Sequence, residues 1–532
     1  MVTSNLRVTS NEQRVTSMEH ALVVGLAREG SSVARFLAER GVRVTVSDIR
    51  TRAQLHRPIA DLSDLGDRVR VICGRQTPEL LNGVDVCFVS PGVPPEIPLL
   101  QAAREKGLCI SSEPRLFLQL CPASVVGVTG SSGKTTTTTL VGEMLKATGQ
   151  TVWVGGNIGE PLLKRLPEIG RDHQVVLELS SFQLEYFATV PDGYAQASGN
   201  RGSGEVLAPW YDGRGISPEV AGVLNITPNH LNRHPSMATY VAAKAHILRW
   251  QHPGDVVVLG YDNPITRRWL ESGVVDIAAD VVEPERHRVP LAGLAAHQAA
   301  RRVRFPLLAE RLGFSLRETL ENGAFVRGDR IVLRLDGREQ KVCSLGNIQL
   351  RGAHNVLNVL AACALAGAVG VPVETMAEVI RGFSGVAHRL ELVRVRHGVQ
   401  WINDSIATAP ERAVAALKSF HEPIILLAGG RDKKLPWDEF AHWVRRKVRH
   451  LIVFGEAAGL IAEVVSQSQA STEYPLTVTH CTDLAEAVRA ATRLSQPGEV
   501  VLLSPGGTSF DAYADFVARG EHFRELVRAL PD

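Results

Sequence analysis

The run Val125-Val126-Gly127-Val128-Thr129-Gly130-Ser131-Ser132-Gly133-Lys134-Thr135-Thr136 has the residue types that hold a nucleoside triphosphate. Backbone N–H groups of a glycine turn and of the helix N-terminus that follows point at phosphate oxygens. Lys134 adds a positive charge, and the Thr135 hydroxyl is placed for Mg2+. The strict spacing G-x-x-x-x-G-K-[ST] is not met, because Val128 stands at its first glycine and Gly127 lies one residue earlier. The context restores the assignment: an apolar strand leads in, and a helical pattern through Leu140, Val141, Met144 and Leu145 leads out. Gly130, Ser131, Ser132, Gly133, Lys134, Thr135 and Thr136 are therefore the triphosphate candidates.

Two more apolar runs end on polar side chains. Val175-Val176-Leu177 leads into Glu178, which offers the oxygen that a hard Mg2+ ion takes. Val223-Leu224-Asn225-Ile226-Thr227-Pro228-Asn229-His230 ends on an imidazole beside the expected phosphate site, which makes His230 a ligand candidate. Lys244 lies in the helical run Ala238-Thr239-Tyr240-Val241-Ala242-Ala243-Lys244-Ala245-His246-Ile247 and reads, by pattern alone, as a solvated helix lysine.

The elements that must position these residues are strands alternating with helices. Ala21-Leu22-Val23-Val24-Gly25 is a buried strand, 30–41 a helix, and 42–48 a second strand ending in Asp48. The turn Gly25-Leu26-Ala27-Arg28-Glu29-Gly30 has two of the three glycines of a dinucleotide fingerprint, so it favours a nucleotide-shaped ligand and is weak support for NAD. Strand-like runs at 400–402, 424–427 and 500–503 give the end of the chain a doubly wound sheet as well. In such sheets ligands collect beyond the carboxyl ends of strands, where Asp48, Gly92, Gly130, Asp404, Gly429 and Ser504 are expected. The apolar stretch from Val356 to Val371 suits a buried helix.

At 532 residues the chain is too long for one core, and about 150 residues per domain suggests three or four. The expected divisions are a disordered 1–19, a first domain 20–120, a central domain 121–385 and a last domain 386–532. A net charge of +2 gives no nucleic-acid or anionic-membrane footprint. The seven cysteines show no C-x-x-C pair and read as buried thiols of a reducing compartment. With no apolar run of about 18 residues and no signal peptide, the expected location is the cytoplasm.

Taken together, the ordered motifs resemble the Mur ligases of peptidoglycan synthesis, in particular their glutamate-adding branch, over residues 20 to 530. The likeness rests on T-G-S-S-G-K-T-T, Gly156-Asn157-Ile158-Gly159, the segment from Glu178 to Glu185, and the Asn225 to His230 strand end. It continues through Gly352-Ala353-His354-Asn355-Val356-Leu357-Asn358, His388-Arg389, Asn403-Asp404-Ser405, Gly429-Gly430-x-x-Lys433 and Ser504-Pro505-Gly506-Gly507-Thr508-Ser509-Phe510-Asp511. The resemblance implies an α/β fold of three doubly wound domains: Rossmann-like and UDP-binding, then P-loop ATPase-like, then Rossmann-like.

It also implies a reaction. The carboxylate of UDP-N-acetylmuramoyl-L-alanine attacks the ATP γ-phosphate, and the amine of glutamate, D-glutamate by default, displaces phosphate from the acyl phosphate. Lys134, Glu178, His230 and Lys244 would be catalytic. Thr135 and Glu178 would hold one Mg2+, and His230 with Lys244 as a CO2-derived carbamate a second. Asn355, Asn358, Arg389 and Asp404 match ATP contacts completed by closure of the last domain. Asp48, Arg50, Gly92 and Asn157 match contacts to the UDP substrate, and Thr408, Lys433, Ser509 and Phe510 contacts to the amino acid. A monomer is expected.

The sequence departs from that pattern at Asn403-Asp404-Ser405-Ile406-Ala407-Thr408-Ala409-Pro410-Glu411, where the branch usually has N-D-S-K-A-T-N. Ile406 cannot pair with a substrate carboxylate. The N-D-S-I-A-T-x-P-E form is similar to a variant branch that adds L-glutamate. Asn229 stands where Asp is usual, Gly506-Gly507-Thr508-Ser509 replaces A-C-A-S, and 193–218 reads as an inserted surface loop. Other amide ligases of the superfamily and an NAD-binding oxidoreductase or sensor are the competing readings. The incomplete first glycine turn and the whole second half of the chain weigh against the latter.

Overall fold

The computed structural model describes residues 18–187, 215–231, 233–281, 294–350, 352–433, 435–471 and 474–531. The expected disorder of 1–17 and most of the expected insertion, 193–214, lie outside the described residues. The chain divides into two bodies, Met1–Ile348 with Ala353–Arg381, and Gln349–Gly352 with Gly382–Asp532.

In the first body, runs of Val, Leu and Ile make two large sheets, beside an antiparallel pair of short strands, Val274–Asp276 and Arg304–Pro306. The first sheet is parallel, in the order Val69–Cys73, Arg43–Asp48, His20–Val24, Val86–Val89, Cys109–Ser111. Its order reverses beside His20–Val24, and the turns after this strand and after Val86–Val89 flank the switch point where such sheets take ligands. The helix expected at 30–41 is Arg28–Glu39; it presents Val33, Ala34, Phe36 and Leu37 to the core. Met18 is buried in that core and the Glu19 N–H donates to the Asp85 carboxylate at 2.8 Å, so order begins before residue 20.

The central sheet has nine strands, in the order Arg338–Ser344, Arg330–Leu335, Gly323–Arg327, Glu310–Ser315, Val256–Gly260, Val220–Val223, Ser124–Thr129, Gln174–Glu178, Val152–Gly156. Pairing is parallel except where Arg330–Leu335 joins its two neighbours. The three strands that carry the expected chemistry are adjacent and level. Val128 faces Glu178 on one side, and Thr129 faces Val223 on the other. Their loops therefore leave the sheet together.

One apolar cluster runs from Met18, Val23 and Phe36 to Val125, Val175, Leu177 and Trp269, so both large sheets of this body share a core. Each Val, Leu or Phe fully buried there contributes about 1.5–3 kcal/mol. Polar bonds fix the register between the sheets: Arg28 Nη1 donates to the Gly159 carbonyl at 2.5 Å, Gln183 Nε2 to Glu29 at 2.6 Å, and Arg115 Nη1 to the Tyr186 carbonyl at 3.0 Å. The expected buried helix is Ala353–Ala368, with Asn358 to Ala366 inside and one face against the helix Lys134–Lys146.

The second body holds a six-stranded sheet ordered Glu391–Arg396, Val399–Asn403, Val500–Gly506, Ile424–Gly429, Val448–Phe454, Thr477–His480. Only its first pair is antiparallel. The three strands expected from sequence form a contiguous set within it, between helices whose apolar faces make two cores. All seven cysteines are free thiols; Cys87, Cys343 and Cys363 are buried and the other four half-buried. Among the described residues no helix is long and apolar enough to cross a membrane.

Candidate active site

The glycine turn after Ser124–Thr129 is held by its neighbours before any ligand arrives. The Ser131 N–H donates to the Asn225 carbonyl at 2.9 Å, and the Ser132 N–H to Asn225 Oδ1 at 3.0 Å. Ser131 Oγ contacts the Thr227 carbonyl at 3.0 Å and the Tyr240 hydroxyl at 2.8 Å. Gly133 has φ +84°, and a Cβ there would lie 2.1 Å from Asn358 Oδ1. Glycine is thus required both for the left-handed backbone and for the close approach of the helix Ala353–Ala368. Asn358 Nδ2 in turn donates to Asn355 Oδ1 at 3.0 Å, so both expected asparagines stand beside the loop.

The helix Lys134–Lys146 starts without a side-chain cap, which leaves its first N–H groups to an anion. Thr135 Oγ1 donates to Glu178 Oε2 at 2.7 Å, and Asn157 Nδ2 donates to Glu178 Oε1 at 2.7 Å. The loop Gly156-Asn157 sits on the same carboxylate strand: the Asn157 N–H reaches the Glu178 carbonyl at 2.8 Å, and at Gly156 (φ +92°) a Cβ would lie 2.3 Å from that oxygen. A hydroxyl and a carboxylate oxygen beside a phosphate cradle are the donor set that Mg2+ takes when substrate oxygens and water complete its shell. Among the described residues no three or more His, Cys, Asp or Glu side chains are grouped so that they could hold a metal ion by themselves.

Lys244 overturns the reading as a solvated helix lysine. Its side chain is 1% exposed, its Nζ donates to the Gly130 carbonyl at 2.9 Å, and it lies 4.8 Å from the centre of the Tyr240 ring. Lys134 Nζ donates to the same carbonyl at 3.0 Å. Burial, and then the charge of Lys134, push the Lys244 pKa well below the ordinary lysine value, while Glu178 pulls the other way. The reason the pattern misled is visible in the helix Met237–Ala245, whose buried residues cover nearly its whole circumference.

His230 is exposed, with left-handed backbone (φ +54°) and its ring 5.0 Å from that of Phe182. The buried imidazole nearby is His234, bonded to Ser181 Oγ at 3.0 Å and stacked on Phe182 at 5.5 Å. Burial lowers the His234 pKa to about 3, with smaller contributions from Arg233, Lys244 and His230.

At the first sheet Asp48 Oδ2 accepts from the Leu26 N–H at 2.7 Å and from Arg50 Nη2 at 2.8 Å. Burial works against its charge, but the bonds from Arg50 and Leu26 outweigh it and hold the carboxyl below its ordinary pKa. Gly92 is exposed in the loop after Val86–Val89, with nothing within 4 Å of where a Cβ would stand.

In the second body Asp404 is buried, accepting from Ser504 Oγ at 2.8 Å and from the Leu390 N–H at 3.2 Å; burial raises its pKa to about 7 against those bonds. Arg389 is half-buried between His388 and Leu390, both with left-handed backbone (φ +62° and +46°). Lys433 Nζ donates to Thr408 Oγ1 at 3.2 Å, Ser509 is buried, and the Phe510 ring is 61% exposed.

Sequence reasoning passed over two residues that organise the loop. Asn225 receives and returns its backbone bonds, and Tyr240 lies one helical turn before Lys244 with its hydroxyl on Ser131. The i, i+4 spacing of Tyr240 and Lys244 was the available signal.

Comparison with known proteins finds three family models along the chain. The family model "Mur ligase MurD-like, N-terminal domain" matches residues 19–112, "Mur ligase middle domain" matches 128–194 and 204–281, and "Mur ligase, glutamate ligase domain" matches 388–507. The UDP-N-acetylmuramoylalanine–D-glutamate ligase of Symbiobacterium thermophilum is 41% identical over 516 residues, 97% of this chain and 99% of that one. The enzyme of that name from Pelotomaculum thermopropionicum is 37% identical over 96% of this chain and 97% of its own length. A crystal structure of MurF from Acinetobacter baumannii aligns over 98% of both chains with a TM-score of 0.50 and 16% identity, a likeness of fold. With three successive models matched and relatives aligned nearly end to end, the chain belongs to the Mur ligase family, and its three α/β domains are those of that family.

Proposed function

We propose that the protein is an ATP-dependent ligase that joins D-glutamate to UDP-N-acetylmuramoyl-L-alanine, forming ADP and phosphate. The observation that carries this reading is the convergence of Lys134 and Lys244 on the Gly130 carbonyl beside the Thr135–Glu178 pair. Two amines and a hydroxyl–carboxylate pair around one glycine turn suit phosphoryl transfer to a carboxylate, where most of the barrier is charge and alignment. The relatives that match end to end carry this activity in their names.

In the proposed reaction the Gly130–Gly133 turn and the uncapped helix N-terminus bind the β- and γ-phosphates, and Lys134 neutralises the charge that develops on them. The substrate carboxylate oxygen bonds to the γ-phosphorus while the bond to the ADP oxygen breaks. The glutamate amine then attacks the acyl carbon, loses a proton and expels phosphate. Mg2+ would be held by Thr135 Oγ1 and Glu178, and a second ion by His230 with Lys244. When bound, the ions neutralise phosphate and acyl-phosphate oxygens. Lys244 as found offers a nitrogen, whereas a hard ion prefers oxygen. Burial that lowers the pKa of this amine favours the form that attacks CO2, and the carbamate that forms on loss of a proton would supply that oxygen.

Asp48, Arg50, Gly92 and Asn157 are assigned to the UDP substrate, with Arg50 oriented by Asp48. Asn355, Asn358, Arg389 and Asp404 are assigned to ATP, and Thr408, Lys433, Ser509 and Phe510 to glutamate. Domain limits near residues 120 and 385, and work in the cytoplasm where ATP and nucleotide-linked precursors are made, complete the reading. Mass spectrometry of the nucleotide product is its test. A gain of one glutamyl residue that requires ATP and is lost in Lys134→Ala supports it; an unmodified precursor with ATP consumed would overturn it.

A further inference from the structure

Glutamate brings two carboxylates, so a site for it needs cationic donors that are not already engaged. The loops at the carboxyl ends of Val399–Asn403, Ile424–Gly429 and Val500–Gly506 are stitched together by the Gly506 N–H on the Ala407 carbonyl at 2.9 Å and by the Arg431 N–H on the Thr508 carbonyl at 2.9 Å. Among the described residues, Arg431, Arg519, Lys433 and Arg412 are cations on or beside these loops. Arg431 is paired with Glu456 through two bonds of 2.8 Å. Arg519 is fully buried and closed in by the Ser405 hydroxyl and the Ser405 and Gly507 carbonyls at 2.9–3.3 Å. That leaves Lys433, on Thr408, and Arg412.

Arg412 lies in the first turn of the helix Pro410–Leu417 and is exposed. Among the described residues its side-chain partner is a neutral group, the Ile406 carbonyl, at a long 3.4 Å. Its guanidinium thus hangs over the backbone of the apolar residue that follows Ser405. It is also close enough to Lys433 for its charge, after burial, to lower the Lys433 pKa, with Glu411 opposing. A planar fork of donors with one weak bond is suited to take a carboxylate side-on.

We infer that Arg412 binds one carboxylate of the amino-acid substrate, beside Lys433, and so restores at the helix start the cation that Ile406 cannot provide. The inference rests on the proposed ligase reading. Geometry supplies a reciprocal test, because a lysine at 406 would place its charge near the one that Arg412 brings.

The experiment is steady-state phosphate release by the full-length enzyme with ATP, UDP-N-acetylmuramoyl-L-alanine and varied D-glutamate. Arg412→Ala is expected to raise KM for glutamate about tenfold or more, the worth of a charge-assisted bond, with KM for ATP nearly unchanged. Arg412→Lys keeps the charge and should stay within a few-fold of wild type. Ile406→Lys added to Arg412→Ala should recover most of the loss. An unchanged glutamate KM in Arg412→Ala, an equal rise in the ATP KM, or no recovery in the double variant would each overturn the inference while leaving the ligase reading intact. No turnover by wild-type enzyme with either glutamate enantiomer would overturn both.

Discussion

The strand ends of the central sheet and those of the second body's sheet are built on opposite plans. Around the glycine turn five functional side chains are tied to the backbone or to one another: Lys134 and Lys244 to the Gly130 carbonyl, Thr135 and Asn157 to Glu178, Tyr240 to Ser131. In the second body, among the described residues, Lys433 reaches a hydroxyl at 3.2 Å and Arg412 a carbonyl at 3.4 Å, and Phe510 is largely exposed. A phosphate cradle must be rigid before it is filled, because its donors stabilise charge in a transition state and any reorganisation adds to the barrier. A small amino acid can be gathered by side chains that turn to meet it.

If that contrast is right, substitutions at the rigid end should remove chemistry, and those at the loose end should weaken binding of one substrate. The largest effect is expected from Lys134→Ala: ADP formation falls by at least about a hundredfold, the scale for loss of a preorganised charge-stabilising group. A loss confined to KM would break the contrast. Lys244→Ala should come close to this, and a short-chain carboxylic acid that fits the vacated space should restore part of the rate. Normal turnover without rescue would remove the carbamate assignment. Tyr240→Phe keeps the ring under Lys244 and deletes the bond to Ser131. It should raise KM for ATP a few-fold, in line with a net hydrogen bond of about 1 kcal/mol, and leave KM for glutamate unmoved.

The smallest effect concerns stability. Glu113 is buried beside Glu29 and accepts the Leu163 N–H at 3.0 Å; burial, with Glu29 adding and Leu163 opposing, raises its pKa to about 8. A carboxyl whose folded pKa lies above its unfolded value of 4.5 binds its proton more tightly when folded. Its stabilising protonation is present below that unfolded value and is lost as pH rises through about 8. Glu113→Gln keeps an acceptor for Leu163 without the charge. The pH 5 to pH 8 fall in thermal midpoint should shrink in this variant, by the equivalent of roughly 3 kcal/mol. An identical pH profile in both proteins would contradict it.

How much of this was legible beforehand depended on whether the cause was local. The phosphate loop could be read because glycine, lysine and threonine act through their own backbone and the next helix turn. Three interior strands of the second body could be read because buried strands are continuous apolar runs, whereas Val448–Phe454, which carries Arg449 and His450 near its start, was missed. The edge strands Glu391–Arg396 and Thr477–His480 were missed: both are at most half-buried and carry polar residues that hide the pattern. The antiparallel extension through Arg330–Leu335 was missed for a similar reason, since its outer strand Arg338–Ser344 is mostly exposed. Burial of Lys244 depends on a helix packed on all sides, which no window of sequence displays. His230 and His234 differ only in which one the loop turns inward.

The most direct test of the central claim is phosphate release with ATP, Mg2+ and UDP-N-acetylmuramoyl-L-alanine, with D- and L-glutamate in separate reactions. Turnover with D-glutamate is the expected result, with cations beside Ile406 doing the work of a lysine there. Turnover with L-glutamate alone would contradict it, and would make the Asn403 to Glu411 segment the mark of a stereochemical switch.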